Sequence, residues 1–205
     1  MTWVYRVGHT LAKVIGYGFY SYRVINRERL IEEGPGIIVS NHASFIDPPM
    51  IGCAFKNELT YLARKTLIKG PVTEYLYRNM NTVPVDQEKP DMVGIRGILR
   101  AVKEGGRVLI FPEGSRTLDG ELQPGQAGVG LLVAKSKVPV LPVRLFGAYE
   151  ALPKGARFPR PSRITLMVGE PIDFSKVEVE GSGKDRYQAI SDLIMSEIAA
   201  LELPE

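Results

Sequence analysis

The sequence predicts an α/β fold: a mixed, largely parallel sheet flanked by helices, with an amphipathic helix at the N-terminus. Short apolar runs of strand length alternate along the chain with longer segments whose apolar residues recur every three to four positions. Glycine and proline stand between the two kinds of segment and mark the turns. This alternation is typical of strands that are joined by helices.

Composition indicates an ordinary globular protein, most simply a single domain. The 205 residues are 44% apolar and 24% charged, which is enough for one sizeable core. The net charge is +3, and residues 1–30 carry five cations against Glu28 alone, so the other 175 residues sum to −1. This distribution argues against a nucleic-acid-binding face. Cys53 is the only cysteine, which excludes an internal disulfide and suggests a cytosol-facing chain in which Cys53 is a small core residue.

The N-terminal segment 3–25 is predicted to be an amphipathic helix with a basic face. Its apolar arc consists of Trp3, Val4, Val7, Leu11, Val14, Ile15, Phe19 and Tyr22, and its opposite arc holds Arg6, His9, Lys13 and Arg23. Its longest charge-free run is too short to cross a bilayer. A helix lying in the plane of an anionic lipid surface fits this pattern. The alternative is a helix that packs on the domain by its apolar face. We therefore divide the chain into a membrane-associating helix, 1–28, and a domain, 29–205.

The remaining elements follow from local signals. A Gly34-Pro35 turn precedes the first buried strand, and Pro48 begins a short helix. Asp91 caps a helix that Gly105 and Gly106 end. Strands are predicted over 36–40, 59–63, 82–85, 107–111, 138–146 and 164–169. Helices are predicted over 48–55, 72–80, 91–104, 127–137 and 185–201.

A histidine and an aspartate lie five residues apart on the turn between the first buried strand and its helix. A neutral imidazole at His42 can take a proton from a hydroxyl, and a carboxylate at Asp47 can fix its tautomer and stabilise the cation. Sites in α/β sheets tend to lie at such strand ends. The alternative is structural, with Asp47 as a plain helix N-cap and His42 as a buried histidine.

Other kinds of site are not indicated. The chain has no P-loop and no glycine-rich dinucleotide fingerprint after a strand, so nucleotide binding is not expected. With two histidines in all, a histidine-rich metal site is not expected either.

Two segments at strand ends, NHASFID (41–47) and FPEGSR (111–116), together resemble the NHxxxxD and FPEGTR motifs of the glycerolipid acyltransferase family. YLARKTL (61–67), VPVDQ (83–87) and VPVLPV (138–143) resemble three further family segments, in the same order. The bacterial 1-acyl-sn-glycerol-3-phosphate acyltransferases are the most similar branch. The chain departs from the pattern at Gln87, where arginine is usual, at Arg64 for lysine and at Ser115 for threonine.

The resemblance implies an O-acyltransferase of phospholipid biosynthesis that is similar to lysophosphatidic acid acyltransferases. Such an enzyme moves an acyl group from acyl-CoA or acyl carrier protein to the free hydroxyl of 1-acyl-glycerol 3-phosphate and forms phosphatidic acid. It needs no metal and no tightly bound cofactor. It would lie peripherally on the cytoplasmic face of the cell membrane. Two alternatives remain: another acceptor, such as glycerol 3-phosphate or a different lysolipid, and a non-catalytic protein that binds a lipid headgroup.

Carried onto this sequence, the resemblance assigns six residues. His42 is the base and Asp47 orients it, while the Glu113-Gly114 turn offers backbone N–H groups to the oxyanion. Arg116 grips the acceptor's phosphate, with Arg64 as a second candidate. The alternative for Glu113 and Arg116 is a local ion pair on a loop. Ser44 and Ser115 are interpreted as turn hydroxyls and not as nucleophiles.

Overall fold

The computed structural model describes residues 1–85 and 92–204. It confirms the predicted α/β class. The helices are α1 (Trp3–Phe19), α2 (Asp47–Gly52), α3 (Pro71–Asn79), α4 (Met92–Lys103), α5 (Ala127–Ser136), α6 (Ala148–Ala151) and α7 (Gly183–Ala199). The strands are β1 (Arg23–Ile25), β2 (Gly36–Ser40), β3 (Tyr61–Arg64), β4 (Thr82–Val85), β5 (Arg107–Ile110), β6 (Val140–Phe146) and β7 (Thr165–Val168).

Within the described residues, five strands form one sheet in the order β1-β7-β6-β2-β5. Neighbouring strands are parallel except β6 and β7, which are antiparallel. A second, two-stranded sheet pairs β3 with β4 and meets β5 through a bridge between Thr60 and Val108. The carboxyl ends of β2, β5 and β6 consequently lie at one edge, which we call the carboxyl edge.

Alternate residues of β2 face opposite layers of helix, so both faces of the sheet are buried. Ile38 packs in the cluster beneath α1 and α2, together with Phe55, while Ile37 and Val39 pack in the cluster beneath α4, α5 and α7. All five residues of β2 are buried, which is expected for a central strand of a sheet covered on both sides.

Most predicted elements are confirmed within a few residues, and the strands over 36–40 and 82–85 keep their predicted bounds. Two were not predicted: β1, which has three residues, and the four-residue helix α6. Both are too short for a periodic pattern. Asp91, the predicted cap of α4, and Gln87 lie outside the described residues.

The N-terminal helix is shorter than predicted and ends at Phe19. Tyr20 and Tyr22 follow it with side chains only 2–3% exposed, and Ser21 between them has a positive φ of 45°. Burial of these two rings turns the chain away from the helical path and into β1. The prediction that Arg23 belongs to the basic arc of this helix is therefore wrong, because Arg23 is the first residue of β1. The division into 1–28 and 29–205 stays a prediction.

The helix α1 turns its large apolar side chains away from the protein. Trp3, Val7, Leu11 and Val14, which we call the outer stripe, are 56–66% exposed. The face against the domain is buried and consists mostly of small and tyrosine residues: Val4, Tyr5, Ala12 and Gly16. The helix is thus not packed on the domain by its strongest apolar stripe.

Two residues of the predicted basic arc lie on the inner side of α1. His9 is half-buried, and its Nε2 donates to the carbonyl of Phe55 at 3.1 Å. Lys13 is half-buried too, whereas Arg6 is exposed. The helical period cannot say which side of an amphipathic helix a domain uses, and here the domain takes the side with the small residues. No helix among the described residues is long and apolar enough to cross a membrane.

Candidate active site

The turn after β2 is held by a buried asparagine. The Asn41 side chain is 8% exposed, and its amide bonds both main-chain groups of Leu145 in β6, donating through Nδ2 at 3.0 Å and accepting through Oδ1 at 2.8 Å. The side-chain amide thus makes the two hydrogen bonds that a main-chain strand partner would make, at the point where the backbone of β2 leaves the sheet. It fixes the point from which His42 projects at the carboxyl edge.

His42 and Asp47 are in direct contact. His42 Nδ1 donates to Asp47 Oδ2 at 2.8 Å, and the N–H groups of Ala43 and Ser44 donate to the same oxygen at 2.7 Å each. Asp47 is the first residue of α2, but these partners precede the helix, so the carboxylate is not a plain helix cap. Because Nδ1 carries a proton and donates it to the Asp47 carboxylate, Nε2 is left as the ring's proton acceptor.

A second buried carboxylate holds the main chain of His42 from the other side. Glu113 Oε1 accepts from the His42 N–H at 2.8 Å, across 71 positions of sequence. Burial raises the pKa of Glu113 to about 7, although its contacts with the N–H groups of His42 and Gln123 oppose the rise. No ion pair joins Glu113 to Arg116 in the described part of the chain, so that alternative is not supported.

An aromatic ring that sequence reasoning missed lies flat against the imidazole. Phe111 stacks on His42 with ring centroids 3.9 Å apart and planes inclined by 16°. The Thr117 N–H donates to the His42 carbonyl at 2.9 Å. FPEGSR and the Thr117 that follows it thus hold the His42 turn, through the Phe111 stack, the Glu113 carboxylate and the Thr117 N–H. The signal was the position of Phe111 at the end of the strand beside β2, but only strand pairing shows that the two meet.

The predicted residues meet at one cavity of about 930 Å³. His42, Gly114, Arg116 and Arg64 line it, while Asp47 and Glu113 stand behind the lining and support His42. Apolar side chains from α3, α4 and α5 also line the cavity. The inner face of α1 also contributes to the wall, which the sequence did not indicate: Tyr5, Gly8, His9 and Ala12.

The oxyanion role of the Glu113-Gly114 turn stays a prediction, and the N–H of Gly114 has a partner within the turn. Its N–H donates to the Phe111 carbonyl at 3.1 Å, which closes the turn, so this donor is already engaged. Gly114 has a positive φ of 73°, a conformation that favours glycine. The glycine is therefore explained by the shape of the turn at the cavity wall.

The two cationic candidates reach the cavity from different elements. Arg116 is half-buried, and its guanidinium lies over the Phe45 ring at 6.0 Å from the centroid. Arg64 is exposed at the end of β3, which runs parallel to β5. Because both arginines line the His42 cavity, a phosphate bound there could be contacted by either of them.

Ser44 and Cys53, near the site, both have structural partners. Ser44 Oγ donates to the Leu152 carbonyl at 2.7 Å and accepts from the Ile46 N–H within the turn at 3.4 Å. Cys53 is buried, and burial raises the pKa of its thiol to about 11, so it stays protonated. Among residues 1–85 and 92–204, no group of three or more His, Cys, Asp or Glu side chains is arranged to hold a metal ion.

We expect Glu113 to make stability depend on pH. The folded pKa of about 7 exceeds the ordinary carboxyl value of 4.5, so the folded protein keeps this proton longer than the unfolded chain does. Stability supplied by this group is therefore full below pH 4.5 and falls as the pH rises through about 7.

The Glu113→Gln variant lacks the titration. Its unfolding free energy relative to wild type should rise by about 2 kcal/mol between pH 5 and 8. Urea unfolding at both pH values measures this, and parallel pH profiles would contradict it.

Comparison with known proteins agrees with the motifs. A family model described as Acyltransferase matches residues 21–145. A 1-acyl-sn-glycerol-3-phosphate acyltransferase of Bacillus subtilis is 27% identical over 184 residues, which are 88% of this chain and 87% of that protein. A chloroplast protein of the same name from Brassica napus is 28% identical over 172 residues, 82% of this chain. That match is 50% of the plant protein, so the chain spans about half of its length.

A solved structure has the same fold. The crystal structure of the 1-acyl-sn-glycerophosphate acyltransferase PlsC from Thermotoga maritima superposes with a TM-score of 0.75 and 25% identity, over 97% of this chain and 81% of that one. The family model covers more than half of the chain and includes both the His42 turn and the Glu113 loop. The predicted family is confirmed: the chain belongs to the acyltransferase family.

Proposed function

We propose that the chain transfers an acyl group from a thioester to the free hydroxyl of 1-acyl-glycerol 3-phosphate and so forms phosphatidic acid. The observation that carries this proposal is the His42–Asp47 pair at the wall of an apolar cavity that two arginines also line. The names of the relatives point to the same acceptor.

The chemistry we propose uses His42 as general base. Nε2 takes the proton of the acceptor hydroxyl while the hydroxyl oxygen attacks the thioester carbonyl. Asp47 stabilises the imidazolium that forms. The tetrahedral intermediate then breaks its C–S bond, and the imidazolium returns the proton to the leaving thiolate. Glu113 holds the main chain of His42, and Gly114 shapes the turn beside it. No acyl-enzyme is needed, which agrees with the engagement of Ser44 Oγ by a carbonyl.

For the donor we propose acyl-CoA or acyl carrier protein, and for the acceptor a lipid of the bilayer. Apolar side chains from several elements line the inner cavity and suit an acyl chain, among them Leu62, Ile95, Ile98, Leu132 and Val129. The volume of about 930 Å³ is within the range of pockets that enclose organic ligands of this size.

Arg116→Ala is expected to raise KM for a phosphorylated acceptor by about tenfold or more, because a charge-assisted contact is lost. An acceptor without phosphate should change little. Arg116→Lys keeps the charge but loses the planar fork and should lie between the two. Initial rates with the two acceptors measure the effect. Equal losses on both acceptors would mean that Arg116 only holds the loop against Phe45.

We further propose that α1 rests in the plane of the membrane, on its cytoplasmic face, as a peripheral contact. The outer stripe leaves four large apolar side chains in water, and burial stabilises each by about 1.5–3 kcal/mol. A bilayer surface can bury them together, with Arg6 near the headgroups.

Leu11→Gln combined with Val14→Gln should weaken partitioning onto vesicles by at least about tenfold. These two residues are 56 and 64% exposed, so the fold does not depend on them, whereas deletion of the whole segment would remove β1 and the Tyr22 ring from the core. Leu203→Gln, an exposed apolar residue of the C-terminal tail, is the control. Equal flotation of both variants would exclude the outer stripe as a membrane contact.

A further inference from the structure

The segment between α6 and β7 carries a concentration of charge that the proposed reaction does not use. Residues 152–163 include Lys154, Arg157, Arg160 and Arg163 and no acidic residue, so the rest of this +3 chain sums to −1. All four cations are exposed, and none of them forms an ion pair with another described residue. Phe158 stands among them with 76% of its surface exposed.

This segment lies at the carboxyl edge, beside the catalytic turn. It returns the chain from the end of β6 to the start of β7, and Phe146 and Thr165 are paired across that antiparallel ladder. Its first residue, Leu152, accepts the bond from Ser44 Oγ. At its other end, the N–H of Ile164 donates to the Tyr20 carbonyl at 2.9 Å, directly after α1.

Two neighbouring loops present large apolar side chains at the same edge. Phe45 is 61% exposed and Leu118 is 74% exposed. The Leu118 carbonyl accepts from Tyr149 Oη in α6 at 2.8 Å, and the adjacent Thr117 N–H donates to His42. Phe45, Leu118 and Phe158, which we call the rim, thus come from three loops that are hydrogen-bonded to one another around the site.

We propose that the rim and the cations of 152–163 form a second membrane contact, which presses the opening of the active site onto an anionic bilayer. Exposed aromatic and apolar loop tips flanked by arginines are suited to the interface between headgroups and acyl chains. Pro159 and Pro161 limit the conformational freedom of the segment, so less of that freedom is lost on insertion. Ile164, which follows the segment, donates to the carbonyl of Tyr20 at the end of α1, so the second contact begins beside the first.

The occupant we commit to is a lipid surface and not an acidic protein. Charge alone would suit either, but three separate apolar tips at 61–76% exposure favour a medium into which each can dip independently. The inference rests on the proposed function, because an acceptor that lives in the bilayer must reach His42 from it. Two contacts would set the tilt of the sheet and hold the site at the depth of the acceptor's headgroup.

A tryptophan reporter tests the insertion. Trp3 is the only tryptophan, so Trp3→Phe supplies a dark background for Phe158→Trp or Leu118→Trp in the full chain. With vesicles of phosphatidylcholine containing roughly one quarter phosphatidylglycerol, both reporters should shift to the blue and be quenched by brominated acyl chains. Leu203→Trp is the control, since Leu201, two positions before it, lies against Gly169, at the opposite edge of the sheet. Unchanged emission of both rim reporters on vesicle-bound protein would overturn the proposal.

A charge-matched pair of variants tests the cations. Arg157→Gln with Arg160→Gln should weaken binding to these vesicles by about 30-fold at low salt, and less at high salt. Lys135→Gln with Lys176→Gln removes the same charge from exposed sites near the other edge and should bind almost as wild type does. Equal weakening in both doubles would overturn the proposal.

The same variants separate this proposal from the proposed function. Vesicle binding needs no turnover, and acyl transfer to a soluble short-chain acceptor needs no membrane. Loss of membrane binding with full activity on the soluble acceptor supports the rim as a membrane contact. A higher KM for an acyl carrier donor, with vesicle binding unchanged, would assign the surface to the carrier protein and overturn the membrane contact. Absence of acyl transfer in the wild-type protein would instead reject the proposed function.

Discussion

Replacing His42 with alanine is expected to lower turnover by about 10²–10⁴-fold, the usual contribution of a positioned general base. His42 lines the cavity and its Nδ1 is bonded to Asp47 at 2.8 Å, so Nε2 is the proposed base, and alanine removes it. The measurement is kcat for acyl transfer to a soluble lysolipid, at saturating donor. Substrate binding should change less than kcat, because the alanine leaves both arginines in place.

The chain offers a matched control at its only other histidine. His9 lines the same cavity, but it lies on α1, its Nε2 is held by the Phe55 carbonyl, and no carboxylate among the described residues forms an ion pair with it. His9→Ala should leave turnover within several-fold of wild type. A folded His42→Ala protein with near wild-type activity would reject the mechanism, as would equal losses in both variants.

Asp47→Asn is expected to reduce turnover by about two to four orders of magnitude, although the shape of the side chain is kept. The Oδ2 atom accepts three N–H groups, so the amide oxygen will take that position and will still hold the imidazole. What is lost is the negative charge that stabilises the imidazolium during proton transfer. The amide nitrogen must then occupy the place of Oδ1, which is buried and has no partner among the described residues.

That buried amide group should also destabilise the fold, by about 1–3 kcal/mol. Turnover must therefore be compared at a temperature where circular dichroism shows the variant to be folded. The two effects differ in their dependence on pH: an effect on the base alters the acidic limb of kcat, whereas partial unfolding lowers the rate at every pH. Wild-type turnover in the folded Asp47→Asn protein would leave Asp47 with a structural role only.

The parts of the site that could be predicted are local. His42 and Asp47 are five residues apart on one turn, so their contact depends on a short stretch of chain whose sequence already limits its shape. Ser44 is local only in part: its hydroxyl accepts from the Ile46 N–H within the turn, but it donates to the Leu152 carbonyl, 108 positions along the chain. The place of Arg23 was predicted wrongly, and the oxyanion role of Gly114 stays a prediction, because each depends on the path of a turn. Gly114 closes one on Phe111, and Arg23 follows one at Tyr20.

The sequence by itself determined the α/β class, most of the elements, and the motif pair that identifies the family, because these depend on apolar period and on residues within one turn. Only the tertiary structure decided which distant groups meet. Glu113 and Phe111 reach His42 because β5 pairs with β2 in one particular register. The burial of Tyr20 and Tyr22 decided where α1 ends, and packing of its small residues decided that the outer stripe faces away from the domain. A helical period defines two faces equally well, and only the surface against which the helix packs chooses between them.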